Sequence, residues 1–172
     1  MRLALPILAI FLALAACEKD DPEPSAPELW CAGFCDAVLR CGGEVTHTEC
    51  FEGCVDRSAS LPMSPEGAAL IQPCIANLSC EAVMGDHQKL QQEQQACWRE
   101  AASTIEAPEL VQTFCTHFVT ALFECGLWYS TAECDGNYAM WSADFVARLD
   151  ACVAEPDCDS FLSCVEAEHE AA

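Results

Sequence analysis

The sequence predicts an all-α fold, built as two disulfide-stapled helical repeats, each a small up-and-down bundle, behind a disordered tether. Three observations carry this expectation. A cysteine pattern recurs: Cys31, Cys41 and Cys50 return as Cys115, Cys125 and Cys134, each 84 residues on. Apolar residues in both copies step by three and four, the period of one helix face. Fifteen cysteines among 172 residues is near the density at which bridges replace a core too small to hold a domain alone.

The chain divides into residues 1–16, 17–28, 29–104 and 105–172. Residues 1–16 read as a signal peptide, with Arg2 followed by an apolar run from Leu3 to Leu14 that is too short and wrongly flanked for a spanning helix. Leu14-Ala15-Ala16-Cys17 resembles the lipobox of bacterial lipoproteins. That resemblance implies cleavage before Cys17, a diacylglycerol on its thiol and an N-acyl lipid on its new amino terminus. Two or three acyl chains suffice for stable anchoring, so the expected first partner is a membrane. Residues 17–28 are then the lipidated cysteine and an acidic, proline-rich tether, EKDDPEPSAPE from Glu18. Such a segment is expected to stay disordered and extended, spanning on the order of 30 Å.

The two repeats, with eight and six cysteines, share C-x9-C-G-x3-[ST]-x2-E-C. Gly42 and Gly126 suit the left-handed residue that ends a helix. Thr46 with Glu49, and Ser130 with Glu133, are capping boxes that open the next helix. Trp30, Phe34, Val38 and Cys41 form the apolar stripe of the first helix, and Val111, Phe114, Phe118, Leu122 and Cys125 that of its counterpart; these aromatics read as core. Ser64-Pro65-Glu66 and Ser142-Ala143-Asp144 start a third helix in each repeat. C-x5-C follows twice, Cys74 to Cys80 and Cys152 to Cys158, with Pro73 or Pro156 expected to break the helix nearby. The first repeat adds a Gln-rich helix over roughly Asp86 to Ala101, and Ala101 to Pro108 is the expected joint.

Cysteine spacing alone leaves the pairing open. Cys35 and Cys54 fall opposite Val119 and Tyr138, a joint loss that suggests Cys35-Cys54. The rival is a hairpin of twin C-x3-C motifs, Cys31-Cys54 with Cys35-Cys50, in which the same loss leaves Cys115 and Cys134 as orphans. The preferred scheme is Cys35-Cys54, Cys41-Cys50 and Cys125-Cys134 across the first turns, and Cys74-Cys80 and Cys152-Cys158 across the third. Cys31-Cys97 and Cys115-Cys164 follow by elimination. Cys17 alone is left unpaired, as a lipid site should be.

With 7 basic against 28 acidic residues, the chain repels nucleic acid. C-x-x-C, G-x-S-x-G, H-E-x-x-H and phosphate-loop motifs do not occur, the four histidines are scattered, and no catalytic residue, metal site or non-lipid cofactor is expected. Asp135-Gly136-Asn137 and Asp157-Cys158-Asp159 fit no calcium loop and read as turn and cap residues. Trp128 and Tyr129, just past Gly126, are the candidate exposed contact for an unidentified envelope protein. As a whole the chain resembles the cysteine-rich secreted lipoproteins of some Gram-negative bacteria. The expectation is a non-enzymatic, lipid-anchored binding or structural module of the bacterial cell envelope, on the outer membrane rather than the inner. The alternative is a thiolate metal-binding or redox protein.

Overall fold

Two tight glycine turns set the layout of the chain. The computed structural model describes residues 22–171; the leader, Cys17 and the tether up to Asp21 lie outside the described residues. Helices α1 (Ala26–Arg40) and α6 (Glu109–Glu124) end at Gly42 and Gly126, whose φ angles are 85° and 76°; Ala26-Pro27-Glu28, expected in the disordered tether, are instead the first turn of α1, closed by a capping box between Ser25 and Glu28. Beyond each, the chain folds back: Gly43 N donates to Val38 O and Leu127 N to Leu122 O, the Schellman pattern. Helices α2 (His47–Arg57) and α7 (Thr131–Tyr138) then begin at the expected capping boxes, with Thr46 and Ser130 accepting from Glu49 N and Glu133 N.

Ser64 and Ser142 cap α3 (Pro65–Ile75) and α8 (Ala143–Cys152), accepting from Gly67 N and Phe145 N. Pro73 does not break α3 but lies inside it, two residues before its end. Helix α4 (Cys80–Met84) has five residues, too few to show a period in the sequence. Its cap Ser79 donates through N and Oγ to the Glu93 carboxylate at 2.7 and 2.6 Å. Glu93 belongs to α5 (His87–Ala102), the Gln-rich helix, which Asp86 caps. Asp157 likewise caps α9 (Cys158–Glu170). Asp135-Gly136-Asn137, expected in a turn, lies within α7.

In the second repeat α6 packs on α7 and α8, and α8 on α9. Phe114, Phe118, Phe145, Leu149 and Phe161 are its core, so the expected α6 stripe is buried save for half-buried Leu122 and Cys125. The first repeat differs. Trp30, Phe34 and Val38 are only half-buried, and α1 turns Cys31, Gly33, Cys35 and Ala37 inward instead. Cys31 and Cys35 face α2, whereas Gly33 and Ala37 face α3 and bring it close: a Cβ on Gly33 would lie 2.7 Å from Gln72 O. The aromatics are displaced to the rim.

The repeats join across a local two-fold relation. From Ser64 to Ser142 the displacement between equivalent residues is 142 − 64 = 78. Ser64 N donates to Met140 O at 2.9 Å, and Ser142 N donates to Pro62 O at 2.8 Å. Pro62 and Met140 are themselves equivalent, so the two bonds exchange like groups around the Met63–Trp141 bridge, as in an isologous interface. Met140 is fully buried in the core of the first repeat.

All seven bridges differ from the preferred scheme. The pairs are Cys31–Cys54, Cys35–Cys50, Cys41–Cys80, Cys74–Cys97, Cys115–Cys134, Cys125–Cys158 and Cys152–Cys164. Cys31-Cys97, Cys35-Cys54, Cys41-Cys50, Cys74-Cys80, Cys115-Cys164, Cys125-Cys134 and Cys152-Cys158 are not formed. The cause is helix azimuth. Cys31 and Cys35 lie one turn apart, as do Cys50 and Cys54, so they make two rungs across the α1–α2 hairpin. Cys41 sits six residues past Cys35, about a third of a turn off that face, and meets α4 instead of α2. Cys74 and Cys80 flank a turn but face opposite ways, toward α5 and α1.

In the second repeat one rung replaces two. Cys115–Cys134 spans 19 residues, midway between the 23 and 15 of the first repeat's rungs, so losing Cys35 and Cys54 orphans nothing. Tyr138, in place of Cys54, docks α7 through its ring, edge-on to Phe114 at 5.1 Å.

Candidate binding clefts around Trp98

Helix α5 carries Gln91, Gln94, Gln95 and Trp98 at the three- and four-residue spacing that aligns side chains on one face. This face forms one wall of a cleft of about 370 Å³; Trp30 of α1 lines it too, and Met63 and Ile71 are its buried residues. The glutamine amides have no hydrogen-bond partner among the described residues. On its other side Trp98 lines a second cleft, of about 490 Å³, which reaches Tyr129, Glu133 and Asn137 of the second repeat. The indole is held from behind by Trp141, ring centroids 5.1 Å apart, and Trp141 Nε1 donates to Asn137 O at 2.6 Å. Cys97, one residue before Trp98, is tied to Cys74 of α3. The groove floor is thus pinned from both repeats.

Electrostatically the first cleft is bare, because none of its lining side chains is ionisable. In the second, Glu133 is occupied by its own cap: the Ser130 hydroxyl and amide hold its carboxyl below the usual range. Arg99 Nε donates to Gln95 O at 3.3 Å. Near the carboxyl end, the rings of Tyr138, Trp141 and Phe145 surround His169. Burial holds His169 below its ordinary value and pushes the Tyr138 hydroxyl up to about 12.

The structure separates the two residues expected to form one exposed contact. Trp128 is 89% exposed and makes an apolar tip with Phe123 and Leu127. Tyr129 turns inward, half-buried, edge-on to Phe118 at 6.4 Å, and its hydroxyl accepts from Asn137 Nδ2. Cys115 is buried in its bridge, whereas His117 points outward to Asp150 at 3.2 Å, so the two share no site. Trp30 and Trp98 were the residues that sequence reasoning missed; the first reads as core, and the second lies in a helix noted only for glutamine. The Gln-Gln-Gln-Trp face was the available signal.

Among the described residues no group of three His, Cys, Asp or Glu side chains is placed to hold a metal ion. Among them, no helix is long and apolar enough to cross a membrane. The fold and its clefts define an all-α, disulfide-rich protein with an aromatic groove at a repeat junction. Comparison with protein families, curated proteins and solved structures finds no match to this chain.

Proposed function

We propose that this protein is a non-enzymatic binding module of the bacterial cell envelope, anchored to a membrane, the outer rather than the inner, through diacyl and N-acyl lipid on Cys17. The observation that carries the binding role is the groove around Trp98. Two clefts share one indole there, and cross-links and the repeat junction fix it in place, which spares a ligand the entropic cost of ordering it. The pairing of all fourteen cysteines from Cys31 to Cys164 supports an oxidising compartment outside the cytoplasm. The same pairing leaves these cysteines no free thiolate for metal binding.

Replacing Cys17 by Ser tests the anchor. The variant is expected in the soluble fraction with its helical circular dichroism unchanged, and retention on membranes would sink the lipid site. Alkylation of the unreduced protein, read by mass spectrometry, is expected to label none of the fourteen; several labelled thiols would restore the thiolate reading. A pull-down from membranes then compares the intact groove with an altered one.

A further inference from the structure

Resting on the binding-module reading, we propose that the Trp30–Trp98 cleft binds a neutral saccharide chain. The comparison between repeats shows that the space is built to be open. Trp30 corresponds to Phe114, which is 1% exposed and wholly inside the second core. Phe114 is covered there by Tyr138, edge-on at 5.1 Å; Trp30 has Cys54 in the place of Tyr138 and lines an open cleft that Gln94 also lines.

The lining selects the ligand's chemistry. In a chain with 28 acidic residues, a cleft without any ionisable side chain offers a charged ligand no counter-ion, so the ligand is neutral. Each glutamine amide is both donor and acceptor, and so is each sugar hydroxyl. The C–H face of a pyranose ring is apolar and matches the flat face of an indole, of which the cleft has two. A run of consecutive prolines presents carbonyl acceptors without amide donors and uses half of each glutamine. Because Trp98 also lines the second cleft, beside Ser103 and Asn137, the site continues past one sugar and fits a linear oligosaccharide.

The test uses the full chain, purified in a sugar-free detergent and titrated with cellohexaose and chitohexaose, following tryptophan emission and calorimetric heat. Saturable binding is expected, with a hexasaccharide held about tenfold tighter than its disaccharide because it spans both clefts. Gln94→Phe puts a ring into the cleft and closes it; it is expected to abolish binding without lowering the melting temperature. The double change Gln91→Ala with Gln95→Ala, which favours the helix, is expected to weaken binding by about fivefold or more, the loss of two hydrogen bonds. Absence of binding to both sugars, or equal binding by Gln94→Phe, overturns the proposal. So does tighter binding of the peptide EKDDPEPSAPE or of anionic polygalacturonate. If neither sugar binds but Gln94→Phe loses a partner captured from membranes, the saccharide falls and the binding module stands. If that capture is unchanged too, both fall.

Discussion

Gly67 shows how much a single residue decides. It is the first-repeat counterpart of Phe145, and a Cβ there would lie 2.6 Å from Met140 O and 2.7 Å from Met140 Cβ. Those atoms belong to the crossing point of the repeats, beside the Ser64–Met140 hydrogen bond. The neighbour is backbone and has little room to yield. Gly67→Ala is therefore expected to lower stability by about 1–3 kcal/mol through overpacking, seen as a lower melting temperature, and to change the emission of the Trp98–Trp141 pair. An unchanged melting temperature together with unchanged emission would contradict this. Gly42 and Gly126 are constrained differently: nothing lies within 4 Å of a Cβ at either, and it is their positive φ that demands glycine. Their role was legible from position alone, whereas that of Gly67 depends on a residue 73 positions away, counted from 67 to 140.

The starts of α1, α2, α4 and α7 rest on carboxylates that hold or complete a serine or threonine cap, and their titration bears on stability in acid. Backbone amides of Ser25 and Thr46 chiefly hold Glu28 and Glu49 below the usual range, and the hydroxyls of Ser79 and Ser130 chiefly hold Glu93 and Glu133. A carboxyl whose folded pKa is depressed contributes stability above its unfolded value of 4.5 and loses it as pH falls through the folded value. These caps therefore contribute fully at neutral pH and fade below about pH 4.5. Protonating the acidic surface relieves repulsion at the same time, with the opposite sign. The measurement is thus a difference: melting temperature against pH for the parent and for Glu133→Gln, expected to differ at pH 7 and to converge near pH 3. Parallel curves would show that the cap is not titrating. At this scale most of the fold was readable, because a cap and the helix it starts lie within four residues. Helix α4 escaped, having barely more than one turn, and Pro73 misled, since a proline so close to a helix end has little helix beyond it to interrupt.

Across the whole molecule, the bridges that matter most are those joining distant segments. Cys41–Cys80 spans 39 residues, against 15 for Cys35–Cys50. The chain-entropy estimate is about 4 kcal/mol for the longer loop and about 3 kcal/mol for the shorter. Replacing Cys41 and Cys80 together by Ala is expected to cost more stability than replacing Cys35 and Cys50, as read from denaturant midpoints of both double variants. The reverse order would show that the hairpin rungs serve the native packing more than they constrain the unfolded chain. The groove belongs to this scale too, because its walls come from α1, α5 and the residues before α3, and Trp98 rests on the other repeat's Trp141. Trp30 carries no local mark of that role, falling on a helical stripe like any core residue, and Trp98 carries only the Gln91-Gln94-Gln95 face it shares.

The order of residues along the chain was enough to establish the all-α class, the duplication and the starts of α2, α3, α5, α7 and α8, because each depends on residues a few positions apart and on the 3.6-residue period. It also singled out Cys17, by arithmetic, as the cysteine outside both repeats. Which cysteines meet, which aromatics are buried and where a cleft stays open were settled only by tertiary packing. Those outcomes depend on the azimuth at which one helix presents its side chains to another. Azimuth is set by close approaches such as Gly33 to α3 and Gly67 to Met140, which join residues far apart along the chain.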